Sequence, residues 1–470
     1  GEFTLDQAFI TTSNGDVINI RGSITEINIF EDIFKNNIHG NILLFDTQNF
    51  FSKSYIRGQD TIYLEITTPS ISDRPEMAIK QHFFVHSIDL MEEASAKSMA
   101  YQLSFTTKEH FANERKKISK GYQDSPTKII ESILKAELET KKPILVEASK
   151  NIKRVVFANK KPFDAIRQIM QEAVSKINDS PSYLFYETTK GFHFRSFESL
   201  LYTSAGVKRT AKQIFRYMPA NVSDEDRGDN AQFSNDFTQV ESYKFLNNVH
   251  DTALNSMMGT YGHQIITHNL YNKSYDIADY HYHNYYDEVL HADGQNRPQV
   301  VNTPVDYDNR SISDYNEARV SVDSTSNYLH DIDLPGKAQT TGIDEATRIS
   351  VQNQITNGTR LQLVVKGQSF LQAGDVIDFE LREVSDRNPQ GEKDRQFGGR
   401  YVITKIRHRI TSEEYKQVLE CVKDSVYEKY NVQNLQTYPN PVLRQTSYFQ
   451  DVNQYDNIEA DIESGRPLRL

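Results

Sequence analysis

Chemistry in this 470-residue chain is sought first where residue types and spacing permit it. His281 and His283 form an H-x-H pair, with His263, His268 and His291 nearby in sequence. On a strand, residues i and i+2 face the same side, so the two imidazoles could share a metal ion. Tyr and Asn fill the surroundings and no carboxylate sits in a recognised motif, so a polar contact surface is the preferred reading. Three copies meeting there on an axis would favour a shared ion. Asp224, Asp226 and Asp229 crowd a stretch containing Gly228. An EF-hand loop needs Gly at its sixth position and Glu at its twelfth. Gly228 is fifth from Asp224, and no Glu follows at the right place, so a solvated acidic loop is expected. Glu92-Glu93 and Glu413-Glu414 fall in predicted turns. A glycosidase needs two carboxylates across one cleft, which sequence neighbours do not supply. Phosphate loops, dinucleotide fingerprints, nucleophile elbows and zinc-protease motifs are missing. The expectation is therefore no catalytic residue, no cofactor, no metal and no enzyme.

Composition points elsewhere. The chain carries 26 Tyr, 25 Phe and no Trp, too many rings for a disordered protein. Net charge is −11, and Arg115-Lys116-Lys117 is the one notable basic cluster, read as a solvated loop. A main task of gripping nucleic acid is disfavoured. A single cysteine, Cys421, excludes an intramolecular disulfide and any Cys-based zinc site. No apolar run approaches the ~18 residues of a membrane helix, so stable membrane insertion is not expected. Seven tyrosines lie between Tyr261 and Tyr286. Tyrosine gives rigid area with a polar tip. Tyr261, Tyr271, Tyr275 and Tyr282 are accordingly interface candidates, weighed evenly against ordinary strand decoration. Phe30 and Phe34 join them, as rings beyond what one small barrel needs, although barrel core is the preferred alternative there.

These residues need elements to hold them. The first ~110 residues read as strands. Ile18 and Ile20 face one way, and Ile27 and Ile29 continue on the other parity, as after an inserted bulge residue. Ser125-Pro126 starts a helix with Ile129, Ile130, Ile133, Leu134 and Leu138 on one face. Pro162 starts another, with Phe163, Ile166, Ile169, Met170 and Ala173. Tyr183–Tyr186 and Gly191–Phe194 predict a hairpin. Strands return between Leu361 and Val422.

Two segments echo one another. Gly58-Gln59-Asp60-Thr61-Ile62-Tyr63-Leu64-Glu65-Ile66 resembles Gly374-Asp375-Val376-Ile377-Asp378-Phe379-Glu380-Leu381. In each case a second strand follows (Phe84–Ile88; Val402–Ile406), then a Tyr-led third from Tyr101 or Tyr415. The recurrence predicts a duplicated β-domain. Two such units per chain, three chains to a ring, would present six similar faces to a sixfold partner.

The segment Ile24-Thr25-Glu26-Ile27-Asn28-Ile29-Phe30-Glu31-Asp32-Ile33-Phe34, with Gly40-Asn41-Ile42 and Tyr55-Ile56-Arg57-Gly58-Gln59-Asp60, resembles the opening of the central baseplate hub proteins of contractile-tailed bacteriophages. Pro181–Thr188 with Gly191–Arg195 is similar to the hub's α/β domain. Leu371–Ile377 with Gly399–Ile403 and Ile406-Arg407-His408 is similar to its second barrel and to the hub part of type VI secretion spikes. The resemblance covers ~1–205 and ~355–425. It implies two β-barrels plus smaller α/β domains. The polar stretch ~276–345 and the tail ~426–470 have no counterpart in that family. The expected fold is therefore α+β, mainly β, with two similar small β-barrels, a small α/β domain and a long polar insertion whose binding role the resemblance does not supply. The expected division is 1–110 first barrel, 111–205 α+β domain, 206–275 and 350–425 second barrel, 276–349 extended insertion and 426–470 tail. The implied function is a homotrimeric tail hub, a structural virion protein in the baseplate, synthesised in the host bacterial cytoplasm. It would adapt a sixfold tube to a threefold spike. Implied partners are itself, the tail tube protein, the spike or needle protein, the tape-measure protein, other baseplate proteins and DNA in transit through a lumen. A receptor- or glycan-binding tail component is the second reading, and a cell-wall hydrolase of the tail the third.

Overall fold

The computed structural model describes residues 3–48, 53–54, 56–68, 78–95, 98–217, 237–246, 250–269, 273–305, 309–324, 330–331, 342–382 and 393–429. The aspartates 224, 226 and 229, Tyr271 and most of the C-terminal tail lie outside them.

Seven strands form the first unit: β1 (Thr4–Thr11), β2 (Val17–Asn19), β3 (Ile24–Asp32), β4 (His39–Asp46), β5 (Thr61–Thr67), β6 (Ile79–Ser95) and β7 (Ser98–Thr106). They lie in the order β3-β4-β7-β6-β5-β1-β2, every pair antiparallel. Alternation makes one face apolar: Ile62, Leu64 and Ile66 are buried with Ile42, Leu44, Leu103 and Phe105. The parity change read near Ile24 is a register shift between Ile24 and Glu26. Gly40 is required here, because a Cβ would lie 2.2 Å from the Asn28 carbonyl oxygen.

An α/β unit follows, with β8 (Ile118–Asp124), β9 (Ile144–Val146), β10 (Lys153–Lys160), β11 (Tyr183–Thr188) and β12 (Gly191–Ser196). Its helices are Pro126–Ser132, continued by a π turn at Ile133–Glu137, and Pro162–Met170. Each carries proline in its first turn, where no amide donor is needed. Their stripes, including Ile130, Leu134 and Ile166, bury against Phe185, Phe192 and Phe194. β11 and β12 pair from Tyr183↔Ser196 to Thr188↔Gly191, leaving Thr189-Lys190 as the turn.

The second unit contains β13 (Gln213–Arg216) and β14 (Val240–Phe245). An insertion then supplies β15 (Gly262–Asn269), β16 (Ser274–His281), β17 (Val320–Ser324) and β18 (His330–Asp331). β19 (Thr359–Lys366), β20 (Val376–Glu380), β21 (Gly399–Thr411) and β22 (Tyr415–Lys423) complete the unit. Its order, β14-β19-β22-β21-β20-β13, repeats β3-β4-β7-β6-β5-β1 of the first unit. Within each unit these six strands also follow the same chain order.

The repetition extends to defects. Register shifts at Ile24/Glu26 and Val85/Ser87 recur at Val240/Ser242 and Ile403/Lys405. Bulges are specific features of a strand pair, so two in matching places are strong support for duplication. The Val85 amide donates to the Asp60 carbonyl at 2.9 Å, as the Ile403 amide does to that of Asp375. One difference is that β13 runs parallel to β20, whereas β1 runs antiparallel to β5.

The structure refines the expected pair of separate barrels. β21 pairs with β3, so both units share one 13-stranded sheet. Among the described residues, the second unit meets at its seam through the bridge Arg216↔Gln239, and no pairing joins β2 to β3 in the first. The insertion is folded rather than extended. Its sheet, β16-β15-β17, packs on the helix Gly342–Asn357 around Tyr261, Ile265, Tyr280, Tyr282, Tyr286 and Ala346. Tyr280 on β16, Tyr261 just before β15, and Tyr282 and Tyr286 in the turns after β16 point inward and make a core that the polar composition concealed. Among the described residues, no helix is long and apolar enough to cross a membrane.

Candidate assembly interface

β21 changes partner along its length. Gly399–Val402 pairs with β20, and Lys405–Thr411 pairs with β3 in the register Lys405↔Asp32 to Thr411↔Glu26. The solvent face of this joint is charge-matched. Arg409 lies 3.0 Å from Glu26, Arg407 donates to Asn28 Oδ1 at 2.9 Å, and the Arg407 guanidinium sits 5.9 Å from the Phe30 ring centroid. Burial raises the Glu26 carboxyl, but Asn28 and the arginines bring it below its ordinary range overall.

Beneath that face, Glu31 accepts hydrogen bonds from the Thr189 amide at 2.9 Å and the Ala373 amide at 2.8 Å. One fully buried carboxyl therefore ties β3 to the β11–β12 turn and to the loop before β20. Burial pushes Glu31 up to about 7 and Asp375, nearby, up to about 6. Burial pushes His408 down to about 3; its Nδ1 lies 2.7 Å from the Tyr415 hydroxyl, and its Nε2 4.0 Å from Glu31.

The duplication exposes a second, unmade copy of this joint. β6 corresponds to β21, and β14 to β3. Among the described residues, β6 beyond Val85 has no strand on its side away from β7, and Val240–Phe245 has none away from β19. β6 carries two further register shifts that β21 lacks, at Ile88/Leu90 and, past Glu92, at Glu93/Ser95. With the Ile88/Leu90 shift included, the β21–β3 register places Met91 opposite Phe245 and Glu92 opposite Lys244. Met91 is 54% exposed, unusual for a thioether on the core-side parity of its strand. Glu92 and Lys244 are also exposed. Apolar would thus meet apolar, and acid would meet base.

Phe30 is half-buried and stacks on His39, with ring centroids 5.2 Å apart. Phe34 is exposed just past β3. Tyr275 is exposed on β16, but Tyr261 and Tyr282 are buried against each other, centroids 5.4 Å apart, in the insertion core. Their area is used within the chain. The carboxylates Glu92 and Glu93 lie on β6 rather than in the expected turn, because the hairpin turns later; Glu413 and Glu414 do occupy a turn.

His281 ends β16, and His283 lies in the short helix Tyr282–Tyr285, so they do not share a strand face. His281 is engaged by the Ser313 carbonyl at 3.0 Å and Asn316 Nδ2 at 3.1 Å. Burial lowers the pKa of His283. Among the described residues, no three His, Cys, Asp or Glu side chains are placed to hold a metal. The open edges at 88–95 and 240–245 and the Glu31 anchor had not been singled out from the residues. A usable signal was present: Lys405-x-Arg407-x-Arg409 is the basic complement of Glu26-x-Asn28-x-Phe30-x-Asp32.

In sequence, the chain is 20% identical over 309 residues to the probable baseplate hub protein gp334 of Vibrio phage KVP40. The match takes in 64% of this chain and 66% of that protein, so the chain spans just under two thirds of this relative's length. The likeness to baseplate hub proteins read from the residues is thereby borne out. No family model matches. Among solved structures, the 43 kDa tail protein of prophage MuSo2 from Shewanella oneidensis has 9% identity, covering 89% of this chain and 99% of that one, at TM-score 0.47. A tail protein from Neisseria meningitidis MC58 has 8% identity, with coverages of 91% and 98%, at TM-score 0.49. The E. coli c3393 protein, described as a component of a type VI secretion system, has 9% identity, with coverages of 92% and 79%, at TM-score 0.44.

Proposed function

We propose that this chain is a structural, non-enzymatic hub of a phage tail baseplate, and that it works as a closed homotrimer. The single observation that carries the trimer is the duplicated joint. Each chain makes one unit-to-unit joint internally and exposes both halves of another. Head-to-tail contacts of this kind form a ring when the rotation closes and a filament when it does not. Three chains of two units give six similar steps. In this reading 1–110 and 206–425 supply the alternating ring units, with the 111–205 unit bracing the internal joint from beneath through Thr189 and the insertion outside it. The ring adapts a sixfold tube to a threefold spike, contacts other baseplate proteins, and leaves a lumen for the tape-measure protein and then DNA. Phe34 and Tyr275, exposed on the monomer, are interface candidates toward those partners. The particle's tail baseplate is its site of action, after synthesis in the host cytoplasm.

Light scattering on the full chain tests the stoichiometry. The expected mass is three times 54.1 kDa. A monomer at high concentration, or a mass that grows without limit, counts against the closed ring.

A further inference from the structure

A cavity of about 530 Å³ opens where the α/β unit meets the chain leading into β13. Arg195 and Arg209 both line it, and both are anchored on one oxygen: Arg195 Nη2 donates to the Ser199 carbonyl at 2.7 Å, and Arg209 Nε to the same carbonyl at 2.8 Å. Arg195 Nε adds a bond to Ser199 Oγ at 2.9 Å. The guanidiniums are thus fixed side by side, and burial first, then the neighbouring Arg195, lowers the pKa of Arg209. Neighbouring arginines normally find a carboxylate. Among the described residues, no acidic side chain lies within ion-pair distance of either one. Glu147 is nearest in effect, but its two oxygens accept from the Ser196 amide at 2.7 Å and Ser175 Oγ at 2.5 Å.

The remaining wall is chemically specific. Glu198 also lines the cavity, is buried, and accepts at Oε2 from Ser180 and Ser182, while its Oε1 has no partner. Burial raises its pKa, and Oε1 is left as an acceptor without a donor. Leu145 and Ile177 are 44% and 48% exposed at the rim, and Leu290 closes the apolar side. A volume of this size suits a small ligand group with a few polar fixings in an apolar setting. The free guanidinium N–H groups form a fork matched to a planar oxyanion.

We propose that this cavity is a binding site for a peptide carboxylate that carries an adjacent apolar side chain. Arg195 and Arg209 take the oxyanion, the unpartnered Glu198 Oε1 accepts the peptide N–H beside it, and Leu145, Ile177 and Leu290 take the apolar group. The site is separate from the ring joint and does not depend on it.

Isothermal titration calorimetry of the full chain tests this with N-acetyl-L-leucine, N-acetyl-L-leucinamide and inorganic phosphate as probes. N-acetyl-L-leucine should bind saturably, and the uncharged amide should not. Arg209→Gln should weaken binding about tenfold, the loss of a charge-assisted contact, while Arg209→Lys keeps part of it. Both variants lose the Arg209 Nε contact to the Ser199 carbonyl, so they should shift the thermal midpoint alike, and only Arg209→Gln should lose most of the binding. Absence of N-acetyl-L-leucine binding overturns the proposal, and so does equal binding by the amide. Binding of phosphate alone, or affinity unchanged in Arg209→Gln, overturns it as well.

Discussion

A proline placed at one of two adjacent positions in β6 is expected to dissolve the trimer and leave the monomer folded. Along an edge strand, successive N–H groups point alternately to the paired neighbour and to the open side. Glu92 pairs with Ala100 and Glu93 with Met99 on β7, so the two residues differ in this respect. Of Glu92→Pro and Glu93→Pro, one removes a rung toward β7 and keeps the open edge. The other keeps β7 and removes the donor that a neighbouring β14 would use. Removing that donor and leaving its acceptor unpaired costs about 1–3 kcal/mol, or roughly tenfold to a hundredfold in the association constant of each joint. Sedimentation velocity should therefore show one variant as trimer and the other as monomer, with the same circular dichroism. Two trimers would place the ring contact elsewhere.

The second large effect is on stability against pH. Glu31 is buried at the meeting point of both β units and the α/β hairpin, and its carboxyl is pushed up to about 7 from 4.5. The folded chain holds this proton at pH values where the unfolded chain has released it. Stability from this group is complete below about 4.5, is lost as pH rises through about 7, and changes little above that. The whole difference is roughly 3 kcal/mol. Asp375, pushed up to about 6 by burial, acts in the same direction. Urea unfolding at pH 5 and pH 8 should show the higher midpoint at pH 5. Glu31→Gln cannot ionise, so the gap between the two pH values should shrink by about Glu31's share. The variant should also be weaker at both, because its amide nitrogen must face one of the two backbone N–H groups that Glu31 accepts. An undiminished gap would mean that Glu31 is not the group that titrates.

Much of the fold was legible because local rules and tertiary demands agree. Ser125-Pro126 and Pro162 start helices with one apolar stripe each, and both stripes meet one core. The parity change after Ile24 was a bulge, and the Gly58 and Gly374 echo marked strands with the same order and the same register shifts. Legibility failed where burial depends on distant partners. Tyr261 and Tyr282 belong to a polar-looking stretch, yet a helix from 342 onward covers them, so their contact area is internal. His281 and His283 have strand spacing in sequence, but the strand ends between them. Glu31 looked like any acid on an alternating strand. Only the approach of Thr189 and Ala373, from two other parts of the chain, makes it an anchor. The open edges of β6 and β14 were harder still, because an edge is defined by a neighbour that the single chain lacks.

Engineered cysteines read the register of that missing neighbour directly. In the joint derived from β21 and β3, positions 92 and 244 face each other on the solvent side, close enough for a disulfide. The native Cys421 is buried and does not interfere. Mild oxidation of the Glu92→Cys/Lys244→Cys double variant should give covalent dimers and then a closed trimer on a non-reducing gel, with nothing larger. Glu93→Cys/Lys244→Cys, one residue out of register with side chains on opposite faces, should stay monomeric. Cross-linking that is absent in the first variant, equal in the second, or extended past three chains would contradict a ring built by repeating the internal joint.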